Sequence, residues 1–301
     1  MRVARQLDAT TERLDLIRQV ARIDVATRLL VSGLYAGAHG SVFRGRGIEF
    51  SEIREYVPGD DVRAIDWKVT ARFGRPYIKE FSEDRDATFY ILADLSASNT
   101  FGSATSKHRR ILEVAAALIF AARNAGDSAG LLTFTDRVEG FIPARKGRGH
   151  AVALIDTLIR NDSRGRGTDL NVPLRFLARR VRRRASVFVV SDFATPSFSD
   201  TLRLLCGRHE VTAIRVIDPR ERHLPDVGLI ELEDPESGEQ VLVDTSDEVL
   251  RSAYADAVAA WEGDLAAVFR RARVPSVCLT TEEGCETALR RLFAPRKVGV
   301  C

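Results

Sequence analysis

The sequence predicts an α/β protein built on a doubly wound, mostly parallel sheet, and three observations indicate this class. From residue 87 onward, short apolar runs alternate with segments of helical periodicity, which is the pattern of strands joined by helical crossovers. Two of these runs, residues 87–93 and 186–191, are rich enough in apolar residues to be strands buried on both faces. Each run leads into an aspartate, Asp94 or Asp192, at the strand end where open α/β folds place their ligand sites.

The order of the elements follows from the spacing of the apolar residues. Residues 11–30 have the three- and four-residue spacing of a helix, whereas residues 33–47 are rich in glycine and predict loops. A charged block covers residues 49–85. After it, the predicted order is strand 88–93, helix 107–124, strand 130–135, a short antiparallel strand 138–143, helices 150–160 and 170–183, strand 187–191, helix 200–208, strand 211–216, strand 276–280 and helix 283–293.

One segment departs from this alternation and predicts an insertion between the last two strands. Residues 228–233 and 240–244 flank the turn formers of residues 235–239, which is typical of a β-hairpin. The insertion covers about residues 225–247. A long amphipathic helix over residues 247–271 follows, and the width of its apolar stripe indicates that Trp261 faces the core.

The composition of the chain indicates how it divides into domains and where in the cell it is expected. We expect an N-terminal helix and charged accessory region, residues 1–86, and an α/β domain, residues 87–301. With 301 residues and 45% hydrophobic content, the chain can bury a full core. The 45 basic and 42 acidic residues leave a net charge of +3, so no whole-molecule field favours nucleic acid or a membrane surface. The scattered cysteines predict reduced thiols, and no leader or membrane-spanning stretch is seen, so we expect a soluble cytoplasmic protein.

Three short segments predict a metal site. Asp94, Ser96 and Ser98 present one carboxylate and two hydroxyls at alternate positions after the first buried strand. These hard oxygen donors suit Mg2+ (or Mn2+), which takes oxygen ligands and needs few carboxylates. Thr168 lies in a glycine-containing loop ahead of a helical pattern, and Asp192 ends the second buried strand. Both would then lie at the same edge of a parallel sheet.

In this order the five residues resemble the metal-ion-dependent adhesion site of von Willebrand factor A domains, which are Rossmann-like. The resemblance implies that the serines and the threonine coordinate the ion directly or nearly so, and that the aspartates hold it partly through water. It also implies that one position stays open for a carboxylate from a partner. Taken singly, each segment is more typical of a turn or a helix N-cap, whereas the ordered set favours the metal site.

The charged block has two open interpretations. Acidic and basic residues are interleaved with aromatic ones, among them Tyr56 and Trp67, so the block can bury rings while its charges pair with one another. In the first interpretation the block is a structural accessory region that packs against the α/β domain, and Trp67 is expected to be buried. Alternatively, Arg44, Arg54 and Arg63 belong to a binding interface. Nucleic acid is disfavoured as the partner, because the carboxylates of the block would oppose a phosphate backbone.

The same block is similar to the bacterial family catalogued as domain of unknown function 58. The similarity rests on Arg44-Gly-Arg-Gly-Ile-Glu-Phe50, Tyr56-Val-Pro-Gly-Asp-Asp61 and Ile65-Asp-Trp67, followed by the motif at residues 94–98. The resemblance implies a von Willebrand factor A-type domain whose genes often accompany MoxR-type AAA+ ATPases, with which it acts as a chaperone in protein maturation or metal insertion. Asn99 replaces the methionine usual in the family, at a position that is not a ligand.

We therefore expect a non-enzymatic, metal-dependent protein-interaction module whose partner, a MoxR-type AAA+ ATPase, offers an Asp or Glu carboxylate. The hydroxyl ligands are neutral, so an ion held by them and two carboxylates remains electrophilic enough to accept a further one. No nucleophile elbow, zinc-protease helix or P-loop ending occurs in the sequence. The alternative is a Mg-dependent phosphoester hydrolase or nuclease in which Asp94 and Asp192 hold a catalytic ion.

Overall fold

The computed structural model describes residues 49–57, 60–82, 87–103, 105–160, 165, 167–284, 286–287 and 290–291. The segments predicted over residues 11–30 and 33–47, the turn at residues 58–59 and part of the helix predicted over residues 283–293 lie outside them. The described residues fall into two compact units, one within Gly40–Ala87 and one within Thr88–Cys301. We name them the N-terminal unit and the α/β unit.

The N-terminal unit contains a two-stranded antiparallel sheet and a short helix. Strand β1 (Glu49–Glu55) pairs with β2 (Tyr77–Ser82), and helix α1 (Trp67–Phe73) lies between them in the chain. Helix α1 begins after Asp66, whose carboxylate accepts hydrogen bonds from two N–H groups of the first turn, and it ends at Gly74 in the left-handed conformation. The sequence predicts no strands here, because the dense charges hide the alternation on which strand prediction depends.

Charges pair within this unit as expected, but Trp67 differs from the prediction. The Arg54 guanidinium donates to both carboxylate oxygens of Asp60, at 2.8 and 2.9 Å. These bonds, together with that from the N–H of Val57, lower the pKa of Asp60 to about 2. Trp67 is 71% exposed, so the prediction that it is buried is wrong. It lies in the first turn of a short helix that has no buried residue, so the helix itself offers the ring no buried face.

Ten strands are described, of which six form the main sheet of the α/β unit. The strands of this unit are β3 (Thr88–Asp94), β4 (Ser128–Phe134), β5 (Val138–Arg145), β6 (Ser186–Ser191), β7 (Glu210–Ile217), β8 (Leu229–Glu233), β9 (Gln240–Asp244) and β10 (Ser276–Thr280). The order in the main sheet is β10-β7-β6-β3-β4-β5, and all neighbours are parallel except β4 and β5. The predicted α/β class, the mostly parallel sheet and the antiparallel edge strand are confirmed.

Helices cover both faces of this sheet, as in doubly wound folds. The described helices of the unit are α2 (Lys107–Asn124), α3 (Arg148–Arg160), α4 (Asn171–Arg180), α5 (Ser199–Cys206) and α6 (Glu248–Ala272). Helices α4, α5 and α6 share one buried apolar cluster with alternate side chains of the central strands, and α2 contacts those strands without contributing to that cluster. Helix α4 ends at Arg180 rather than at residue 183, because the chain becomes extended at Val181 and leads into β6.

The insertion and the long helix also form. Strands β8 and β9 pair antiparallel as the predicted hairpin. In α6, Leu265 and Phe269 are buried, whereas Val249 is 78% exposed and Trp261 is 36% exposed. The prediction that Trp261 lies in the core is therefore wrong; its ring lies at the rim, with the Arg215 guanidinium 4.7 Å from its centroid. None of the helices in the described part of the chain is long and apolar enough to cross a membrane.

Candidate metal centre

The candidate metal centre lies at the carboxyl ends of β3 and β6. From β3 the sheet grows through β4 and β5 on one side, and the chain then returns to place β6, β7 and β10 on the other. The junction of β3 and β6 is therefore the topological switch point, where outgoing loops diverge and open α/β sheets bind their ligands. Asp94 is the last residue of β3, and Asp192 directly follows β6. The two aspartates thus stand at neighbouring strand ends.

Asp94 is fully buried and is surrounded by neutral donors. The Ser96 hydroxyl donates to its Oδ1 at 2.6 Å, and the Ser96 N–H donates to the same oxygen at 3.0 Å. From the neighbouring strand, the hydroxyl of Ser191 donates to Oδ2 at 2.5 Å. Within the described residues Asp94 forms no ion pair, so hydrogen bonds alone compensate its charge.

Ser98 and Asn99 extend this hydrogen-bonded group. The hydroxyl oxygens of Ser96 and Ser98 lie 3.1 Å apart. Asn99 belongs to the short 3-10 helix Ala97–Thr100, and its Nδ2 donates to the Ser96 oxygen at 2.9 Å. Its Oδ1 is buried and has no partner among the described residues. An acceptor in this state is costly unless a donor reaches it, and a water molecule on a bound cation is such a donor.

The electrostatics of Asp94 differ from those of another buried carboxyl group in the unit. Burial raises the pKa of Asp94 to about 6, and the negative charge of Asp192 adds to the rise. Asp218 follows β7 and is also fully buried. There burial again opposes the charge, but hydrogen bonds from Thr281 and Ser103 outweigh it and lower the pKa. Asp94 is therefore a buried carboxyl group whose hydrogen bonds offset only part of the cost of burying its charge.

Asp192, in contrast, has a cationic partner. Lys107, 2% exposed at the start of α2, donates to Asp192 Oδ2 at 2.7 Å and to Glu221 Oε1 at 2.5 Å. Burial alone would lower the pKa of Lys107, but the two carboxylates outweigh it and hold the pKa above its usual value. The side chain is thus an ammonium. It offsets part of the charge of Asp192. The net negative charge that a cation would meet at the centre is therefore smaller than that of two unpaired aspartates.

A strained residue fixes the turn after β6. Phe193 has φ +62°, in the left-handed region that bulky residues rarely adopt. Its buried ring makes an edge-to-face contact with Phe269 of α6, with the centroids 5.1 Å apart. Its N–H donates to the Ser191 hydroxyl oxygen at 3.0 Å. Packing of the ring therefore holds the strained backbone and positions Ser191 and Asp192.

Thr168 is tied to the same edge of the sheet, but its hydroxyl forms no hydrogen bond with the other four predicted ligands. Asp169, the next residue, donates its N–H to the carbonyl of Thr135, which directly follows β4. The carbonyl of Thr168 accepts a hydrogen bond at 2.9 Å from Thr195, in the turn after β6. The Thr168 hydroxyl, buried at 8% exposure for the residue, donates to Glu236 Oε1 at 2.6 Å.

The loop before Thr168 passes very close to the end of β4. A Cβ at Gly165 would lie 2.1 Å from both Thr135 Oγ1 and Asp136 Oδ1, so any side chain there would displace these two residues. The N–H of Gly165 donates to Glu139 Oε1 at 2.8 Å. The glycine thereby sets the distance of the loop from the sheet edge, and with it the position of Thr168.

The donor set fits Mg2+ or Mn2+ in its chemistry. Across the described ranges, no three His, Cys, Asp or Glu side chains are placed to hold a metal ion, so the hydroxyls of Ser96, Ser98 and Thr168 would have to act beside the two aspartates. Hydroxyl and carboxylate oxygens are the hard donors that these ions take. Asp94, whose burial is only partly offset by hydrogen bonds, and the unpaired Oδ1 of Asn99 both favour a hydrated cation at this place.

Four residues that contact the predicted ligands or their partners were not predicted from the sequence: Lys107, Ser191, Glu221 and Glu236. Ser191 could have been found, because it precedes Asp192 at the end of a predicted strand. Lys107 directly follows the helix N-cap Ser106, where a lysine is normally expected in solvent. Glu236 lies 68 residues from Thr168, and no spacing rule connects a hairpin tip to a loop that far away.

The fold and the centre define an α/β protein with a mostly parallel sheet and an acidic, hydroxyl-rich cluster at its switch point. Within that class the chain belongs to the family described as "Protein of unknown function DUF58", which matches residues 52–263. The membership that the motifs predicted is therefore confirmed.

Relatives and solved structures are similar over different extents. "Uncharacterized protein Rv1480" of Mycobacterium tuberculosis H37Rv is 35% identical over 281 residues, which are 92% of this chain and 88% of that protein. "Uncharacterized protein YeaD" of Bacillus subtilis is 28% identical over 100 residues, 33% of this chain and 23% of that protein. The crystal structure of the conserved hypothetical protein BatB from Bacteroides thetaiotaomicron aligns at 13% identity with a TM-score of 0.46, covering 68% of this chain and 96% of that chain.

Proposed function

We propose that this protein is a metal-dependent protein-interaction module that binds one Mg2+ or Mn2+ at the carboxyl ends of β3 and β6. The observation that carries the proposal is the state of Asp94, which is fully buried at the switch point and forms no ion pair within the described residues. A buried carboxylate in this state is stabilised when a cation reaches it. A von Willebrand factor A-like fold with an adhesion-type metal site is part of this proposal, and the five-residue motif supports it.

The residues proposed to hold the ion are the five predicted ones: Asp94, Ser96, Ser98, Thr168 and Asp192. Ser191 orients Asp94 through its hydrogen bond, and Lys107 keeps Asp192 paired. When bound, the ion supplies an electrophilic position that accepts a further carboxylate oxygen. The chain keeps that position electrophilic in two ways, because its hydroxyl donors are neutral and its ammonium offsets one aspartate.

The proposed partner is a protein that offers an Asp or Glu side chain. The chemistry of the centre supports the carboxylate, since hard cations take oxygen ligands. Membership in the DUF58 family supports a MoxR-type AAA+ ATPase as that partner, in chaperone-like protein maturation, through the resemblance described above. The near-balanced charge of the chain agrees with a protein partner rather than with nucleic acid.

Calorimetric titration of Mn2+ into three proteins tests the metal site: wild type, Asp94→Asn and Asp256→Asn. Asparagine preserves the shape of aspartate and removes its charge. Asp256 is the matched control, because it is exposed on α6. We expect one site in wild type and in the control, and no measurable binding by Asp94→Asn at the same fold content by circular dichroism. Equal affinity of all three proteins would contradict the proposal.

A second measurement separates the module from the hydrolase or nuclease. Wild type and Asp192→Asn are incubated with p-nitrophenyl phosphate, and with single-stranded DNA, in Mg2+ or Mn2+. We expect no turnover by wild type above that of the variant. A metal-dependent rate that Asp192→Asn abolishes would replace the proposed module with a phosphoester hydrolase.

A further inference from the structure

The tip of the β8–β9 hairpin brings a carboxylate to Thr168, one of the five residues proposed to hold the ion. Glu236 Oε1 accepts the hydrogen bond of the Thr168 hydroxyl at 2.6 Å. Its other carboxylate oxygen, Oε2, lies 3.6 Å from the place that a Cβ at Gly167 would take, so the group is seated over the loop that carries Thr168. From residue 231 to residue 240 every residue is exposed except Glu236, which is half-buried. Glu236 is thus the residue by which this tip is docked.

Hydrogen bonds within the tip fix the position of the Glu236 backbone. Asp234 accepts hydrogen bonds from the N–H of Glu236 at 2.9 Å and from the hydroxyl of Ser237 at 2.7 Å. Backbone bonds from Gly238 to Asp234 and from Asp234 to Glu239 close the turn at 2.7 and 2.8 Å. Gly238 adopts φ +75°, which the turn requires. The conformation of the tip is therefore fixed by its own bonds and does not depend on Glu236 meeting Thr168.

The strands of the hairpin, in contrast, hold little apolar surface away from water. Leu229, Leu232, Val241 and Leu242 are between 41% and 70% exposed. A two-stranded hairpin of this kind is only marginally stable alone. The tip can therefore leave the centre at a modest cost, although its internal structure is well defined.

The inference that follows rests on the proposed function. We propose that Glu236 is an internal ligand of the metal centre and fills the position that a partner's carboxylate would take. Thr168 is one of the five proposed ligands, and a carboxylate oxygen 2.6 Å from its hydroxyl lies within reach of a cation that this hydroxyl binds. The hairpin then protects the centre while the partner is absent. An acidic partner residue binds by displacing Glu236.

An internal carboxylate ligand should have opposite effects on the affinity for the ion and on the affinity for a partner's carboxylate. A tethered carboxylate acts at a high effective concentration, so it strengthens binding of the ion alone and weakens binding of a free carboxylate to the loaded centre. Removing the charge of Glu236 should therefore weaken one equilibrium and strengthen the other. A merely structural contact would not produce this reversal.

The experiment uses the full chain as wild type, Glu236→Gln, Glu239→Gln and Asp94→Asn. Glutamine at residue 236 can still accept the hydrogen bond of Thr168, so the hairpin keeps its docked position. Glu239 is the matched control, since it lies in the same turn with an exposed side chain. Calorimetry with Mn2+ alone should show affinity that is lower by on the order of tenfold in Glu236→Gln, the scale typical of losing one supporting group of a metal site. Glu239→Gln should match wild type.

Two further readouts use the same proteins. In saturating Mg2+, a blocked tripeptide with one central Glu should bind Glu236→Gln more tightly than wild type, and the matching Gln peptide should bind neither. Hydrogen exchange of the amides at residues 236–239 should slow when Mg2+ is added to wild type, but not when it is added to Glu236→Gln.

The outcomes separate this inference from the proposed function. If Mn2+ binds wild type and Asp94→Asn alike, the metal site itself is refuted, and this inference with it. If Asp94→Asn loses the ion while Glu236→Gln and Glu239→Gln both match wild type in Mn2+ affinity and tip exchange, the site stands and the internal ligand is refuted. Equal weakening by Glu236→Gln and Glu239→Gln also refutes it, because general surface charge would then be the cause.

Discussion

Replacing Lys107 by methionine tests whether the ammonium balances the charges of the centre. The side chain is 2% exposed and joins Asp192 at 2.7 Å to Glu221 at 2.5 Å. Methionine keeps most of the volume of the lysine stem, so the change removes a charge without opening a large cavity. The expected loss therefore reports the ion pair.

The magnitude follows from the burial of the two carboxylates. Breaking a buried ion pair by removing one partner costs about 3–5 kcal/mol, because the other charge remains buried and unpaired. Asp192 falls in this class, since its side chain is 4% exposed. The side chain of Glu221 is 33% exposed and can be rehydrated, so it adds little. We expect Lys107→Met to lower the free energy of unfolding by about 3–5 kcal/mol.

Mg2+ should restore part of the stability that Lys107→Met loses. Without the ammonium, Asp94 and Asp192 are two unpaired carboxylates, and a divalent cation binds them more tightly than it binds the wild-type centre. Each tenfold gain in affinity adds about 1.4 kcal/mol to the stabilisation by excess Mg2+. The variant should therefore gain more from Mg2+ than wild type does.

Urea unfolding of the full chain, followed by circular dichroism with and without Mg2+, measures both effects. Lys68→Met is the control, because Lys68 is exposed on α1 and its loss should change stability by less than about 0.5 kcal/mol. If Lys107→Met unfolds at the same urea concentration as the control, the buried ion pair does not stabilise the fold. If Mg2+ stabilises variant and wild type equally, the ammonium and the cation do not act on the same charges.

Three further changes test other parts of the structure by urea unfolding. Ser191→Ala should cost about 1–3 kcal/mol, because it removes the donor to Asp94 and the acceptor of the buried Phe193 N–H; no loss would show that these bonds are dispensable. Trp67→Ala should change stability by less than about 0.5 kcal/mol, since the ring is 71% exposed, and a loss of several kcal/mol would contradict this. Burial lowers the pKa of His209, so the unfolded chain binds more protons than the folded one below about pH 6.5. Stability should therefore fall as the pH falls from about 6.5 toward the folded pKa, and His209→Gln should flatten that slope.

The parts of the fold that could be predicted are those set by local patterns. The apolar runs at residues 87–93 and 186–191 became β3 and β6, and the strand predicted at residues 276–280 has the same bounds in the structure. These runs are unambiguous because a strand buried on both faces needs apolar residues at every position. The burial predicted for Trp67 and Trp261 was wrong because the presence of an aromatic residue does not indicate which elements will cover its ring.

The residues of the centre that could be predicted likewise follow from local patterns, whereas the missed ones depend on long-range packing. Ser96 and Ser98 lie two and four residues from Asp94, so their grouping follows from one turn of chain. Asp192 could be added because parallel strands end at a common edge. The contacts of Lys107 with Asp192 and of Glu236 with Thr168 join residues 85 and 68 positions apart, which depends on how loops and helices pack. Such pairs carry no signal in a single sequence.

The charges of the centre indicate why a cation, rather than more hydrogen bonds, would complete it. The described residues include four carboxylates and one ammonium there: Asp94, Asp192, Glu221, Glu236 and Lys107. The nearby hydroxyls already donate, those of Ser96 and Ser191 to Asp94 and that of Thr168 to Glu236. Neutral donors spread a negative charge but do not cancel it, and burial makes the remainder costly. A divalent cation cancels two charges and requires only lone pairs, which the hydroxyl oxygens still have after donating their protons.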